Sequence, residues 1–268
     1  MQSAAGGWPH PWPNVEELAR VLGNGQRTLI GGLMTQLHAI NRGIGVVRPT
    51  NDVDIVLHIE TARGVPARTA ATLESIGYHL VTGIDPRNQT AHRFIRGTSH
   101  VDLLISDEDG DDVDEADIKK QREQQSDVVD VLMAEHAAPS AEEMLRGKVM
   151  VKVEGATQAL RRTVNVVLEV TPGVPTTISV PGPFGALILK AAAYQTDSRE
   201  RERHLYDAAT LLACIEDPYA ERASLAGSDR SRLRILERAL VADHGAWRRL
   251  PRDVRPQAQA ALRLLNAL

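Results

Sequence analysis

The chain has 268 residues, 43% of them hydrophobic, and a formal net charge of −4, which allows one large domain or two small ones of ordinary globular composition. Aromatic residues make up only 3%; the core must therefore rely on Leu, Val, Ile and Ala, and a surface that binds single strands mainly by base stacking is excluded, as is a wholesale basic coat for nucleic acid. Cys214 is the single cysteine, which rules out an intrachain disulfide and a thiolate zinc cluster.

In chain order, "MQSAAGGWPHPWPN" lacks a basic segment followed by an apolar one. No run approaches the roughly 18 apolar residues of a membrane span. The expectation is a cytoplasmic protein with no membrane partner. "NVEELARVL" (14–22) predicts a helix, with Asn14 as cap and Glu17 completing a capping box. "RTLIGG" predicts a short strand running into two glycines, and "LMTQLHAIN" a helix with Leu33, Leu37 and Ile40 on one side. "DVDIVLHI" predicts a strand, and "PARTAATLESIGY" a helix stopped at Gly77. "HLVTGI", "AHRFIRG" and "HVDLLIS" predict strands, the last two as a hairpin around "GTS".

The acidic "DEDGDDVDEAD" (107–117) and the polar "KKQREQQ" predict a surface insertion over about 107–127. A calcium loop is rejected there, because the required Gly is Asp112 and the final Glu is Ile118. "DVVDVLM", "KVMVKVE" and "TVNVVLEV" are further β-rich segments. "TPGVPTTISVPGP" is rich in Pro and Gly and marks the entrance to a second region. From Phe184 onward the pattern is helical, in "FGALILKAAAYQ", "ERERHLYDAATLLACI", "RSRLRILERALV" and "PQAQAALRLLNAL". The expected plan is an α+β head over 1–180 and a helical C-terminal region over 181–268. From Arg199 to Leu268 there are 13 Arg, no Lys and 10 acids; this basic third suits a polyanion.

Four features suggest chemistry. Gly31-Gly32 stands at a strand-to-helix turn, where a backbone can approach phosphate closely. Alternation along "DVDIVL" puts Val53, Ile55 and Leu57 on one face and Asp52 and Asp54 on the other. Two carboxylates that close repel each other and need a positive partner. Asp102 in "SHVDLLIS" is a third carboxylate within an apolar strand, with Asp130 in "VVDVLM" as its rival. Such a set suits Mg²⁺, which takes hard oxygen ligands together with substrate phosphates. Finally, Lys190 flanks the apolar stripe of Phe184, Leu187, Ile188 and Ala191, able either to lean into a cleft or to snorkel. In the next helix Leu205, Ala209 and Leu212 face inward. Asp207 faces away, and its simplest partner is Arg203 at i, i+4.

In order, Gly31-Gly32, Arg48-x-Thr50-x-Asp52-Val-Asp54, Val-Asp102-Leu-Leu, the lysine helix and Arg203-x-x-Tyr206-Asp207 resemble the DNA-polymerase-β-like nucleotidyltransferases. Within these, the pattern is most similar to the AbiEii/MenT group, the toxin halves of abortive-infection and toxin–antitoxin systems. The resemblance covers about residues 25 to 215. It implies a mixed sheet carrying the aspartates, with a helical C-terminal region as the far wall of a cleft. It also implies transfer of a nucleoside monophosphate from an NTP with release of pyrophosphate. Asp52, Asp54 and Asp102 would ligate Mg²⁺, two ions in this family, with Mn²⁺ as a substitute. Asp102 would help deprotonate the attacking hydroxyl. Gly31, Gly32, Arg48 and Thr50 would lie at the phosphates, Lys190 would hold the triphosphate, and Asp207 would be the second motif's acid. The implied acceptor is a tRNA 3′ end and the implied partner a cognate antitoxin. Alternatives are an aminoglycoside- or lincosamide-type small-molecule acceptor, AMPylation of a protein, and a non-catalytic nucleotide-binding module. Two positions depart from the pattern. Leu33 follows the glycines, with Thr35 as a candidate for the missing hydroxyl, and His204 replaces an acid.

Overall fold

A computed structural model describes residues 7–45, 48–81, 90–107, 140–197 and 199–267. Asp130 and nearly all of the acidic stretch lie outside these residues. Over these described residues the fold is mixed α and β, with one mixed sheet of eight strands, a separate hairpin, and helices before and after them.

Helix α1 (Trp12–Val21) buries Trp12, Val15 and Leu18. It starts two residues earlier than the sequence suggests, and Asn14 is not its cap. Pro13 suits the first helical turn, where no backbone N–H is needed. Asn14 is thereby drawn inside the helix, where its amide donates to the Tyr78 hydroxyl at 2.8 Å. Glu17 closes no capping box either; it pairs with Arg96.

Strand β1 (Arg27–Leu29) leads straight into helix α2 (Gly31–Asn41). Strand β2 (Asp52–Leu57) pairs antiparallel with β1. Helix α3 (Val65–Ser75) follows, closed by Gly77 at φ +90°. The next strands are β3 (His79–Leu80), β4 (Thr90–Ala91), β5 (Arg93–Arg96) and β6 (Ser99–Ser106). β5 and β6 form the expected hairpin, with Arg96 opposite Ser99 and Arg93 opposite Asp102. β6 lies parallel to β2 on its other side.

Strand β7 (Met144–Leu145) pairs with β8 (Lys148–Val153), and β8 continues the sheet parallel to the C-terminal half of β6. Helix α4 (Ala156–Leu160) is a single short turn. Asp107 is not loose in this region. Its carboxylate accepts from the backbone N–H of Gly155 and Thr157, at 2.7 and 3.3 Å.

The Pro- and Gly-rich stretch 171–183 itself holds a strand. β9 (Thr163–Glu169) and β10 (Pro175–Pro181) make an antiparallel hairpin. Pro175 and Pro181 occupy the two ends of β10, where proline is tolerated in a strand. The inner face of the hairpin buries Leu168, Ile178 and Val180.

The C-terminal region is helical, as the pattern predicts. It comprises α5 (Pro183–Thr196), α6 (Arg201–Cys214), α7 (Pro218–Ala223), α8 (Asp229–Ala239), α9 (Gly245–Arg248) and α10 (Arg255–Asn266). Among the described residues no helix is long and apolar enough to cross a membrane.

Two apolar cores lie on opposite sides of the sheet. Val53, Ile55, Leu57, Val101, Leu103 and Ile105 pack with residues from α1, α3 and β10. Ile30, Met34 and Val56 pack instead with α5, α6, α8 and α10. Strand alternation thus holds for β2. Its Asp52–Asp54–Val56 face is the one turned toward the C-terminal helices, and this places the candidate site between the sheet and those helices.

Candidate active site

The register of β2 and β6 sets Asp54 directly opposite Asp102, and Asp52 opposite His100. All four side chains therefore share one face of the sheet. Opposed residues on one face lie roughly 5 Å apart at Cβ, so the carboxylates of Asp54 and Asp102 confront each other. Burial pushes the Asp54 carboxyl up to about 6, the charge on Asp102 adds to that, and Lys190 opposes it.

The positive partner in the structure is Arg93, a residue outside the motifs of the sequence. Its guanidinium grips both oxygens of Asp102, at 2.8 and 2.7 Å, and reaches Asp52 at 3.5 Å. His100 Nδ1 lies 3.0 Å from the other Asp52 oxygen. The hairpin was legible in the sequence, but its register was not. The observed turn is Gly97-Thr98, with Ser99 already paired to Arg96, so paired positions add to 195 and Arg93 stands across from Asp102; a loop of all three residues "GTS" would put Phe94 there instead.

The glycine turn is fitted to this face. Gly31 has φ +72°, and a Cβ there would fall 1.8 Å from Asp54 Oδ2. A Cβ on Gly32 would fall 2.9 Å from Thr50 Cβ and 3.1 Å from an Arg48 nitrogen. Gly31, Gly32, Arg48, Thr50 and Asp54 are thus brought into one neighbourhood. Thr35 turns its hydroxyl back on its own helix, donating to the Gly31 carbonyl at 3.4 Å.

Facing the aspartates from the C-terminal helices stands a buried triad of charges. Lys190 on α5 does not snorkel: its Nζ lies 2.8 Å from Asp207 Oδ2, with side-chain exposures of 6% and 3%. Nor does Asp207 pair with Arg203. Arg48 donates to both its oxygens, at 3.1 and 3.0 Å, while Arg203 reaches Asp197 and Glu200. The i, i+4 expectation fails because α6 is packed on both α5 and α2, so the side taken for solvent is buried between helices. Burial alone would raise the Asp207 carboxyl, but Lys190 and Arg48 together hold it below the usual carboxylate range.

No protein-family model, curated protein or solved structure matches this chain. The reading of the site therefore rests on its residues.

His204 is buried beside this triad. Its Nε2 lies 3.0 Å from Asp197 Oδ2, and among the described residues its Nδ1 has no hydrogen-bond partner. Burial and the charge of Lys190 push it down to about 4, against the pull of Asp197. His204 and Asp54 oppose each other in the pH dependence of stability. Between about pH 4 and 6.5 the unfolded chain binds more protons at His204, so that contribution falls on acidification. Between about pH 3.8 and 6 the folded chain binds more at Asp54, so that contribution rises on acidification. Asp54→Asn removes the second term. Melting in EDTA at pH 4.5 and 6.5 should show a steeper acid loss in Asp54→Asn than in the wild type, by roughly 1–2 kcal/mol after solvent screening. Equal slopes would contradict the assignment.

The donor set fits a hard divalent cation in kind: three carboxylates on one face, with no Cβ at Gly31 to cover Asp54. As they stand, no three His, Cys, Asp or Glu side chains among the described residues close on one ion position. Arg93 is the countercharge that a cation would share or displace.

Proposed function

We propose that the chain is a divalent-metal-dependent nucleotidyltransferase of the DNA-polymerase-β-like superfamily, of AbiEii/MenT type. The observation that carries this reading is the pairing of Asp54 with Asp102 across parallel strands, with Asp52 on the same face and the Gly31-Gly32 turn against Asp54. Asp52, Asp54 and Asp102 would hold Mg²⁺ or Mn²⁺. The metal, when bound, supplies Lewis-acid stabilisation of charge on the transferring phosphate.

The chain's own residues supply the rest. The N-terminus of α2 presents free backbone N–H groups beside the glycines, suited to phosphate. Lys190 and Arg48 are cations of the same cleft, held in place by Asp207; both can turn to a triphosphate while Asp207 keeps their positions. The acceptor hydroxyl oxygen forms a bond to the α-phosphorus as the bond to the β-phosphate breaks. Pyrophosphate leaves with the electron pair, and the hydroxyl proton passes to a carboxylate of the aspartate face.

The acceptor proposed is a tRNA 3′ end. Incubation with each α-labelled NTP, Mg²⁺ and total tRNA is expected to move label onto RNA and release pyrophosphate, and Asp54→Ala should reduce transfer to background. Label that stays in NTP with every acceptor tried, tRNA, protein and aminoglycoside alike, defeats nucleotidyl transfer. Label on protein or aminoglycoside alone defeats only the tRNA assignment.

A further inference from the structure

We infer that the chain carries a second ligand site, for a small organic cation with an apolar body, at the far ends of the helices that bear the candidate active site. The inference does not depend on nucleotidyl transfer. Helix α2 starts at the Gly31 turn and ends at Asn41, roughly 15 Å away at 1.5 Å per residue. Helix α6 likewise runs from Asp207 to Cys214, roughly 10 Å further along its axis. At that far end lies a cavity of about 410 Å³, within the range of small-molecule sites. Leu37, Val164, Val166 and Ile215 give it apolar walls.

The charges at its rim select the ligand. Arg42 is already paired with Glu216 at 3.5 Å. Asp217 turns one oxygen, Oδ1, to the backbone N–H of Tyr219 and Ala220, both at 3.0 Å, which ties it to the start of α7. That leaves Glu221, half-buried on the cavity wall. Among the described residues no hydrogen bond or ion pair reaches its carboxylate. Arg162, which acts on it electrostatically, is bound to Asp229 and to the Ser224 carbonyl, each at 2.8 Å. A carboxylate held partly out of water without a partner is costly. An anion entering the cavity would face three acids against one arginine. A neutral apolar molecule would fill the walls and leave Glu221 unmet. A cation with an apolar body satisfies both, its charge at Glu221 and its body on Leu37, Val164 and Ile215.

Phenethylammonium is a suitable probe, with 3-phenylpropionate and 2-phenylethanol as the anionic and neutral controls. Titration into the full chain, followed by saturation-transfer NMR and calorimetry, is expected to show saturable one-to-one binding of the ammonium at least tenfold tighter than either control. Glu221→Gln should weaken it at least tenfold, Glu221→Asp should keep part of it, and Ala220→Trp, on an exposed rim position, should block it. Saturating ATP should not displace the probe. Thermal melts of each variant establish that it is folded. Absence of binding, equal binding by 3-phenylpropionate, undiminished binding to folded Glu221→Gln, or displacement by ATP would each overturn the proposal.

Discussion

Asp207→Ala is expected to destabilise the protein by about 3–5 kcal/mol, the range for breaking one side of a buried ion pair. The loss comes from what is left behind more than from the attraction removed. Lys190 is 5% exposed, on a helix whose other flank is packed with Leu187, Ile188 and Ala191. With Asp207 gone, its ammonium is left buried without its hydrogen-bonded carboxylate, and the more distant charge of Asp54 compensates only in part. Arg48, at 23% side-chain exposure, can turn outward and suffers less. This asymmetry yields a second expectation: Lys190→Met combined with Asp207→Leu should recover most of the stability, because removing both charges leaves no uncompensated ion. Urea unfolding of the two single variants and the double variant measures the coupling directly. If Asp207→Ala costs less than about 1 kcal/mol, the pair is solvated and the burial assigned to it is wrong.

Gly31→Ala is expected to be nearly as damaging, for a different reason. The new Cβ would lie 1.8 Å from Asp54 Oδ2 and 2.6 Å from its Cγ, both well inside contact distance. Asp54 sits mid-sheet between β1 and β6 and cannot retreat without disturbing one of them. The φ of +72° adds an L-residue penalty of about 1 kcal/mol on top of the clash. A combined loss on the order of 3 kcal/mol is expected, from overpacking and strain together. Gly25→Ala is the control, since a Cβ there meets nothing within 4 Å and the backbone is not left-handed. In an Asp54→Ala background, Gly31→Ala should cost visibly less, because the clashing oxygen is gone. Additive losses in that double variant would show that the two residues do not touch.

These expectations rest on contacts that were unequally legible in the sequence. The aspartate face of β2 was legible because strand alternation is strict and one face was apolar. Its pairing with Asp102 was legible as chemistry but not as geometry. Nothing in a sequence states that Asp54, and not Asp52, meets Asp102; the parallel register decides that. Arg93 was overlooked although the hairpin that places it was predicted. A metal and an arginine meet the same need for positive charge between the aspartates, and only the one-residue register of the turn distinguishes them. Asp207 was misassigned because a helical wheel tells which residues share a side, not how many sides are buried. α6 has neighbours on more than one side, so its charged flank points into protein. Asn14 shows the same limit on a smaller scale. Its capping pattern was locally sound, but two prolines and a tyrosine 64 residues away moved the helix start.

The β9–β10 hairpin has a consequence for how the chain acquires its structure during synthesis. Ile178 and Val180 complete the same core as Trp12, Leu18 and Leu29. Thr171 reaches the Glu16 carboxylate at 2.7 Å, and Ser179 lies 3.3 Å from the Thr28 hydroxyl. The first helix and first strand therefore emerge from the ribosome without the surface they pack on, which follows about 150 residues later. At ordinary translation speeds that is a wait of about 8–30 s. For that interval Trp12, Leu18 and Leu29 lack part of their cover, and a chaperone that binds apolar segments has an opportunity at this stretch of the nascent chain.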